Sequence, residues 1–237
     1  MNRTVLRLTA QAMLGGRRML LVSAMAVVLI GLALLVRILG DMSEPDIAGF
    51  LQVISLATLM PLFGLIVGTG TIGPEIDDGS IIHLLSKPVP RPVIIHSKLA
   101  VAVMATVAFA VVPTALAALI MGASGSLALA LAVGSLAAGA VYCVMFMLLA
   151  ILTRHAVIIG LGYALIWESL VGSLVPGARN LSVQQWALAV TDALATPGLI
   201  TAHVGLVLAV TLIIGGFVAA TWYAGSRLRV LTLATED

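Results

Sequence analysis

Long apolar runs, separated by short polar breaks, are the dominant pattern along the chain. Six of them approach or exceed the ~20 residues a helix needs to cross a bilayer. They lie at Arg18–Leu39, Gly49–Ile72, Val93–Met121, Leu127–Leu152, Ala156–Leu174 and Thr201–Gly225. Ahead of them, Arg3, Arg7, Gln11 and Arg18 share one helical face and Val5, Leu8 and Ala12 the other. That pattern predicts an interfacial helix over 2–17 with its cations towards headgroups. Between runs five and six, residues 175–200 are too polar for a span. Pro176-Gly177 opens this stretch, Ser182-x-x-Gln185 is a capping-box pattern, and Pro197-Gly198 closes it. It predicts a broken, external, amphipathic helical segment, either lying at or dipping back into the membrane, with Trp186 at the interface; an ordinary surface loop is the alternative. The expected fold is an all-α polytopic membrane protein with six transmembrane helices in a single transmembrane domain, 1–237.

Composition narrows the class. The chain is 61% hydrophobic and 9% charged, against roughly 25% charged residues in soluble domains. It cannot cover a water-facing surface. A lone cysteine, Cys143, excludes an internal disulfide. The run from Met19 to Leu39 is too long for a signal-peptide core and lacks a clear small-residue cleavage site, so it is expected to remain as a span. Charge sets the orientation. With the N-terminus cytoplasmic, ten of the twelve basic residues fall on the cytoplasmic side, and only Arg37 and Arg179 on the other. Both termini are therefore expected in the cytoplasm.

Several motifs carry no chemistry in this context. Gly68-Thr-Gly-Thr-Ile-Gly73 is a literal GxGxxG, but it ends an apolar helix and runs into acids that would repel a pyrophosphate. No GxxxxGK[ST] loop is present, so no ATPase site is recognisable in the chain. Asp77-Asp78-Gly79 is similar to the opening of a membrane metal-enzyme motif, yet its further aspartates are missing from that side. Met145 and Met147 beside Cys143 point to different helix faces and do not converge on a metal. No catalytic residue, metal ligand or nucleic-acid partner is expected. Gly64-x-x-x-Gly68 and Ser135-x-x-x-Gly139 permit close helix packing.

The polar stretch Gly73–Lys98 holds three of the ten acidic residues and three of the twelve basic ones. Glu75 follows span two, Gly79-Ser80 makes a break, and Ile81, Leu84 and Leu85 form an apolar ridge at helical spacing. Lys87-Pro88 ends the short helix before Arg91. Two readings stand: a helix docking into a partner's groove, or one that only turns the chain around. Glu168 falls about 20 Å into span five by helical rise. It is expected at the outer headgroup level, beside Arg179, with a cavity-facing acid as the alternative.

The pattern Gly73-x-Glu75-x-x-x-Gly79-Ser80-x-x-x-Leu84-Leu85-Ser86-Lys87-Pro88-Val89-x-Arg91, followed by Lys98, resembles the cytosolic loop of ABC type-2 permeases. The bacterial group that includes the nitrous-oxide-reductase maturation permease is the most similar. The resemblance extends to the layout of the whole chain. Pro90, where relatives commonly carry Ser or Thr, and Gly73-Pro74 depart from the pattern. The resemblance implies a cytosolic coupling helix in residues 73–92, with Glu75, Gly79, Ser80, Ile81, Leu84, Leu85, Lys87, Pro88 and Arg91 coupling to an ATPase. It implies a permease subunit of an exporter in the bacterial inner membrane, with two ABC ATPase subunits, a second permease copy forming a homodimer, and surrounding lipids as partners. ATP and Mg would be bound by the ATPase, with no cofactor in this chain. The apolar lining suits a lipid-like or hydrophobic drug-like substrate. The alternatives are transmission of motion to an extracytoplasmic partner in cofactor maturation and an ATPase-free secondary carrier.

Overall fold

A computed structural model describes residues 17–77, 91–171 and 177–233. Among these residues every regular element is helical. In chain order they are α1 (Arg17–Leu39), α2 (Glu44–Leu51), the π-helical π1 (Gln52–Leu59) and α3 (Met60–Asp77). Next come α4 (Arg91–Thr106), π2 (Val107–Val111), α5 (Val112–Met121), α6 (Gly125–Leu152), α7 (Ala156–Gly162) and π3 (Tyr163–Val171). A 3-10 turn (Ala178–Leu181), α8 (Val183–Leu194) and α9 (Leu206–Leu233) complete the set. Among the described residues five rods are long and apolar enough to cross a membrane: α1, α2–π1–α3, α4–π2–α5, α6 and α9. The fifth run forms the shorter apolar helix Ala156–Glu168, continued by π3 to Val171, and residues 172–176 lie outside the described residues. Residues 2–16 of the interfacial helix expected over 2–17 lie outside the described residues, and Arg17 opens α1.

α6 is the central rod, packed by α3, α4, α5, α7, α8 and α9. Small residues let its neighbours in. A Cβ on Gly64 would stand 2.3 Å from that of Tyr142, and one on Gly68 2.7 Å from the Cys143 carbonyl. Along α6 itself, Gly139 admits Thr106 of α4 and Gly134 admits Thr191 of α8. Both small-residue motifs are thus inter-helix contacts within the chain. The tight turn at Gly122–Ser126 is also present. Gly122 caps α5 at φ +97°, a conformation glycine adopts freely. Ser124 caps α6, its hydroxyl accepting from the Leu127 amide. Glu44 accepts from the Ser124 amide at 3.0 Å and ties the start of α2 to this turn.

Two prolines are absorbed by widened turns. Proline has no amide to donate, and its ring collides with the carbonyl one turn back. π1 ends two residues before Pro61 and π2 two residues before Pro113. Each closes with a bond one residue longer than in an α-helix, Met60 N to Ser55 O and Val112 N to Val107 O. A buried hydrogen bond of 2.6 Å joins the Ser55 hydroxyl of π1 to that of Thr114, the α5 residue after Pro113. Pro113 therefore sits in a continuous rod held by its neighbour.

Candidate functional site

Two polar junctions interrupt the apolar interior, and each joins elements distant in sequence. The first lies where α3 ends and α4 begins. Lys98, two turns into α4, is fully buried. Its Nζ donates to Glu75 Oε1 at 2.6 Å and to the Thr71 carbonyl at 2.7 Å. Glu75 keeps about a third of its side chain exposed (32%). A buried ammonium needs a counter-charge and hydrogen-bond acceptors to offset its lost hydration, and the last two turns of α3 supply both. The helix runs through Pro74 to Asp77, so Glu75 belongs to the end of α3 and not to the loop after it. The expected coupling residues Gly79, Ser80, Ile81, Leu84, Leu85, Lys87 and Pro88 lie outside the described residues. Arg91 is the first residue of α4.

The second junction joins π3 to the start of α8. Glu168 is fully buried among protein side chains. Its carboxylate accepts from the Tyr163 hydroxyl at 2.8 Å, the Ser182 hydroxyl at 2.5 Å, and the amides of Val183 and Gln184 at 3.0 and 3.4 Å. The Ser182 hydroxyl in turn accepts from the Gln185 amide at 3.3 Å. The orphan amides that open α8 are thereby satisfied, and the acid sits at the positive end of that helix. The capping box read at Ser182-x-x-Gln185 is thus half local. Ser182 serves as expected, but its own amide donates to the Arg179 carbonyl at 3.2 Å and not to the Gln185 side chain, while Glu168 from π3 takes the amides of Val183 and Gln184.

The helix so anchored is internal. Val183, Gln185, Trp186, Ala187, Leu188, Ala189 and Thr191 are buried. Trp186 is 8% exposed, its indole N–H donating to the Asn180 carbonyl at 2.8 Å, so it is not an interfacial anchor. The Tyr163 ring packs edge-on against Phe146, while Thr191, at the other end of α8, meets Gly134. Those α6 positions are about 18 Å apart by helical rise. α8 therefore runs back along α6 from deep inside the bundle. Arg179, expected as an outer partner of Glu168, lies half-buried in the 3-10 turn before it.

Sequence reasoning missed the Lys98 pairing and the Glu168 cap. A signal for the first was present, because a lysine within an apolar run requires a nearby acid. The second had none, since residue spacing does not bring position 168 to a helix start at 182.

Residues 17–175 match the sequence profile of the family described as ABC-2 family transporter protein. The match covers more than half of the chain. The chain belongs to the ABC-2 transporter family. No curated protein matches it at significant similarity. The matched region of this ABC-2 permease takes in the rods from α1 to α6, the Glu75–Lys98 junction and Glu168. It stops before α8. A multi-pass membrane protein with a transport role follows from the family and the five apolar rods.

Proposed function

We propose that this chain is the membrane subunit of an ATP-driven exporter-like complex, with ATP hydrolysed by a separate subunit that docks on residues 78–90. The observation that carries the reading is the Glu75–Lys98 pair. It fastens the end of α3 to the start of α4, directly beside that stretch. A push on the intervening residues would move both rods as one body. α3 lies against α6, so the displacement would reach the centre of the bundle. The many basic residues at this end support placing it in the cytoplasm, with both termini on that side. The bacterial inner membrane is the expected setting from the resemblance of the loop.

Two permease copies with two ATPase subunits are the proposed assembly. α1 and α9 leave much apolar surface uncovered, Ile38, Val207 and Trp222 among it, which offers a second copy a face beside lipid. The substrate class proposed is a lipid-like or hydrophobic drug-like molecule, in keeping with the near absence of charge along the rods. The chain contributes no bond chemistry; ATP and Mg would belong to the partner. The maturation alternative needs an exposed output helix at 175–200, and the burial of α8 weighs against it.

The test is ATPase stimulation in reconstituted complexes. Glu75→Ala and Leu84→Asp are expected to insert into the membrane but to lose stimulation of the ATPase subunit. Normal stimulation in both variants would overturn the assignment of this region.

A further inference from the structure

We propose that a groove between α1, α3 and α4 holds one acyl chain of an acidic phospholipid, with the lipid phosphate bound by Arg18. The groove has a volume of about 210 Å³. Val22, Ile66, Val101, Met104 and Phe109 are among the side chains that line it, and Arg18 is the one charged lining residue among the described residues. The arginine lies across Gly70. A Cβ at that position would come within 3.2 Å of its Nη1 and 3.4 Å of its Cδ. Glycine thus makes the bed in which the guanidinium stem rests.

Three other cations among the described residues have partners at hand. Arg37 pairs with Asp41, Lys98 with Glu75, and Arg227 stacks on and donates to Tyr223. Arg18 instead presents an exposed guanidinium at the edge of an apolar groove. It is the second residue of its rod, where a long cationic side chain reaches headgroup level. The groove opens sideways, since Met104 is 55% exposed and Leu20 and Leu21 beside Arg18 are 71% and 55% exposed. In a five-rod membrane protein those side chains face lipid. A guanidinium binds phosphate through paired N–H donors, and an apolar trough favours an acyl chain. A soluble anion would leave the trough empty, and a neutral lipid tail alone would leave the cation unmatched. An acidic phospholipid satisfies both halves.

The inference rests on membrane insertion alone and not on an ATPase, so its failure would leave the permease reading intact. The experiment is native mass spectrometry of the delipidated full-length chain, titrated separately with dioleoylphosphatidylglycerol and dioleoylphosphatidylcholine. The wild type is expected to retain one phosphatidylglycerol in preference to phosphatidylcholine. Arg18→Gln should weaken phosphatidylglycerol binding about tenfold, the scale of one charge-assisted hydrogen bond, and leave phosphatidylcholine unchanged. Arg18→Lys should recover part of the loss. Met104→Trp, at an exposed lining position, should reduce both lipids by filling the trough with the charge intact. Equal binding of phosphatidylglycerol by wild type and Arg18→Gln would overturn the proposal. So would a wild type without lipid preference, or loss of the bound lipid whenever the chain dimerises.

Discussion

Removing the charge of Glu75 strands the Lys98 ammonium in the protein interior. Breaking one side of a buried pair typically costs about 3–5 kcal/mol, whereas replacing both partners by apolar or neutral groups is often nearly neutral. Glu75→Gln and Lys98→Met are therefore expected to differ in kind from their combination. Glu75→Gln should lower the midpoint of thermal unfolding in detergent by several degrees, and adding Lys98→Met should restore most of it. The partial exposure of Glu75 places the effect at the lower end of that range. Additive losses in the double variant would mean that the two side chains act separately. At the second junction, Glu168→Gln keeps the shape but turns one acceptor oxygen into an N–H₂ donor facing amides and hydroxyls that are themselves donors. A buried donor without an acceptor costs about 1–3 kcal/mol. Faster amide exchange at Val183 to Gln185 is the expected readout, with exchange in the centre of α6 unchanged.

Close helix approach operates at the level of elements. α3 reaches α6 only because Gly64 has no side chain where Tyr142 stands. Gly64→Val is expected to destabilise the chain by about 1–3 kcal/mol or more through overpacking. Gly31→Ala in α1 makes the useful control. Nothing lies within 4 Å of a Cβ there, and alanine favours a helix by about 1 kcal/mol over glycine. A thermal shift of the same sign in both variants would refute the packing assigned to α3 and α6. The widened turns π1 and π2 are element-scale features as well. Each precedes a proline, and Ser55 of π1 bonds to Thr114 of α5. Thr114→Val should cost about 1 kcal/mol, the net worth of a hydrogen bond, in the same thermal assay.

At the scale of the whole molecule, the two junctions lie at different levels of one bundle. The Lys98 pair holds the second and third rods together beside residues 78–90, and the Glu168 cap holds α8 inside. Both act on α6, against which α3 and α8 each pack. If motion enters through the α3–α4 unit, it reaches α8 by way of α6. Co-purification from the native membrane in mild detergent is expected to bring down a soluble subunit carrying a phosphate loop. Elution of the chain with no such subunit, under conditions that keep Glu75 and Lys98 intact, would count against the exporter reading.

Membrane insertion, the helical class and the five long rods were legible in the sequence, because apolar run length and helix rise are local quantities. So were the Gly122 turn, the Ser182 cap and the small-residue contacts, each encoded within a few residues. Hydropathy marks the 156–174 stretch as apolar, and the described residues show a helix there from Ala156 to Val171. The burial of α8 is not legible in the same way: the polar residues of 175–200 suit water as well as a packed interior, and only the contact with Glu168 satisfies the amides of Val183 and Gln184. Which charges pair, and which polar groups the interior can hold, depends on what lies across the gap between helices. Lys98 meets Glu75 over 23 positions and Glu168 meets Ser182 over 14. Hydrogen bonds of that reach are set by the packing of whole rods, and only the tertiary structure decided them.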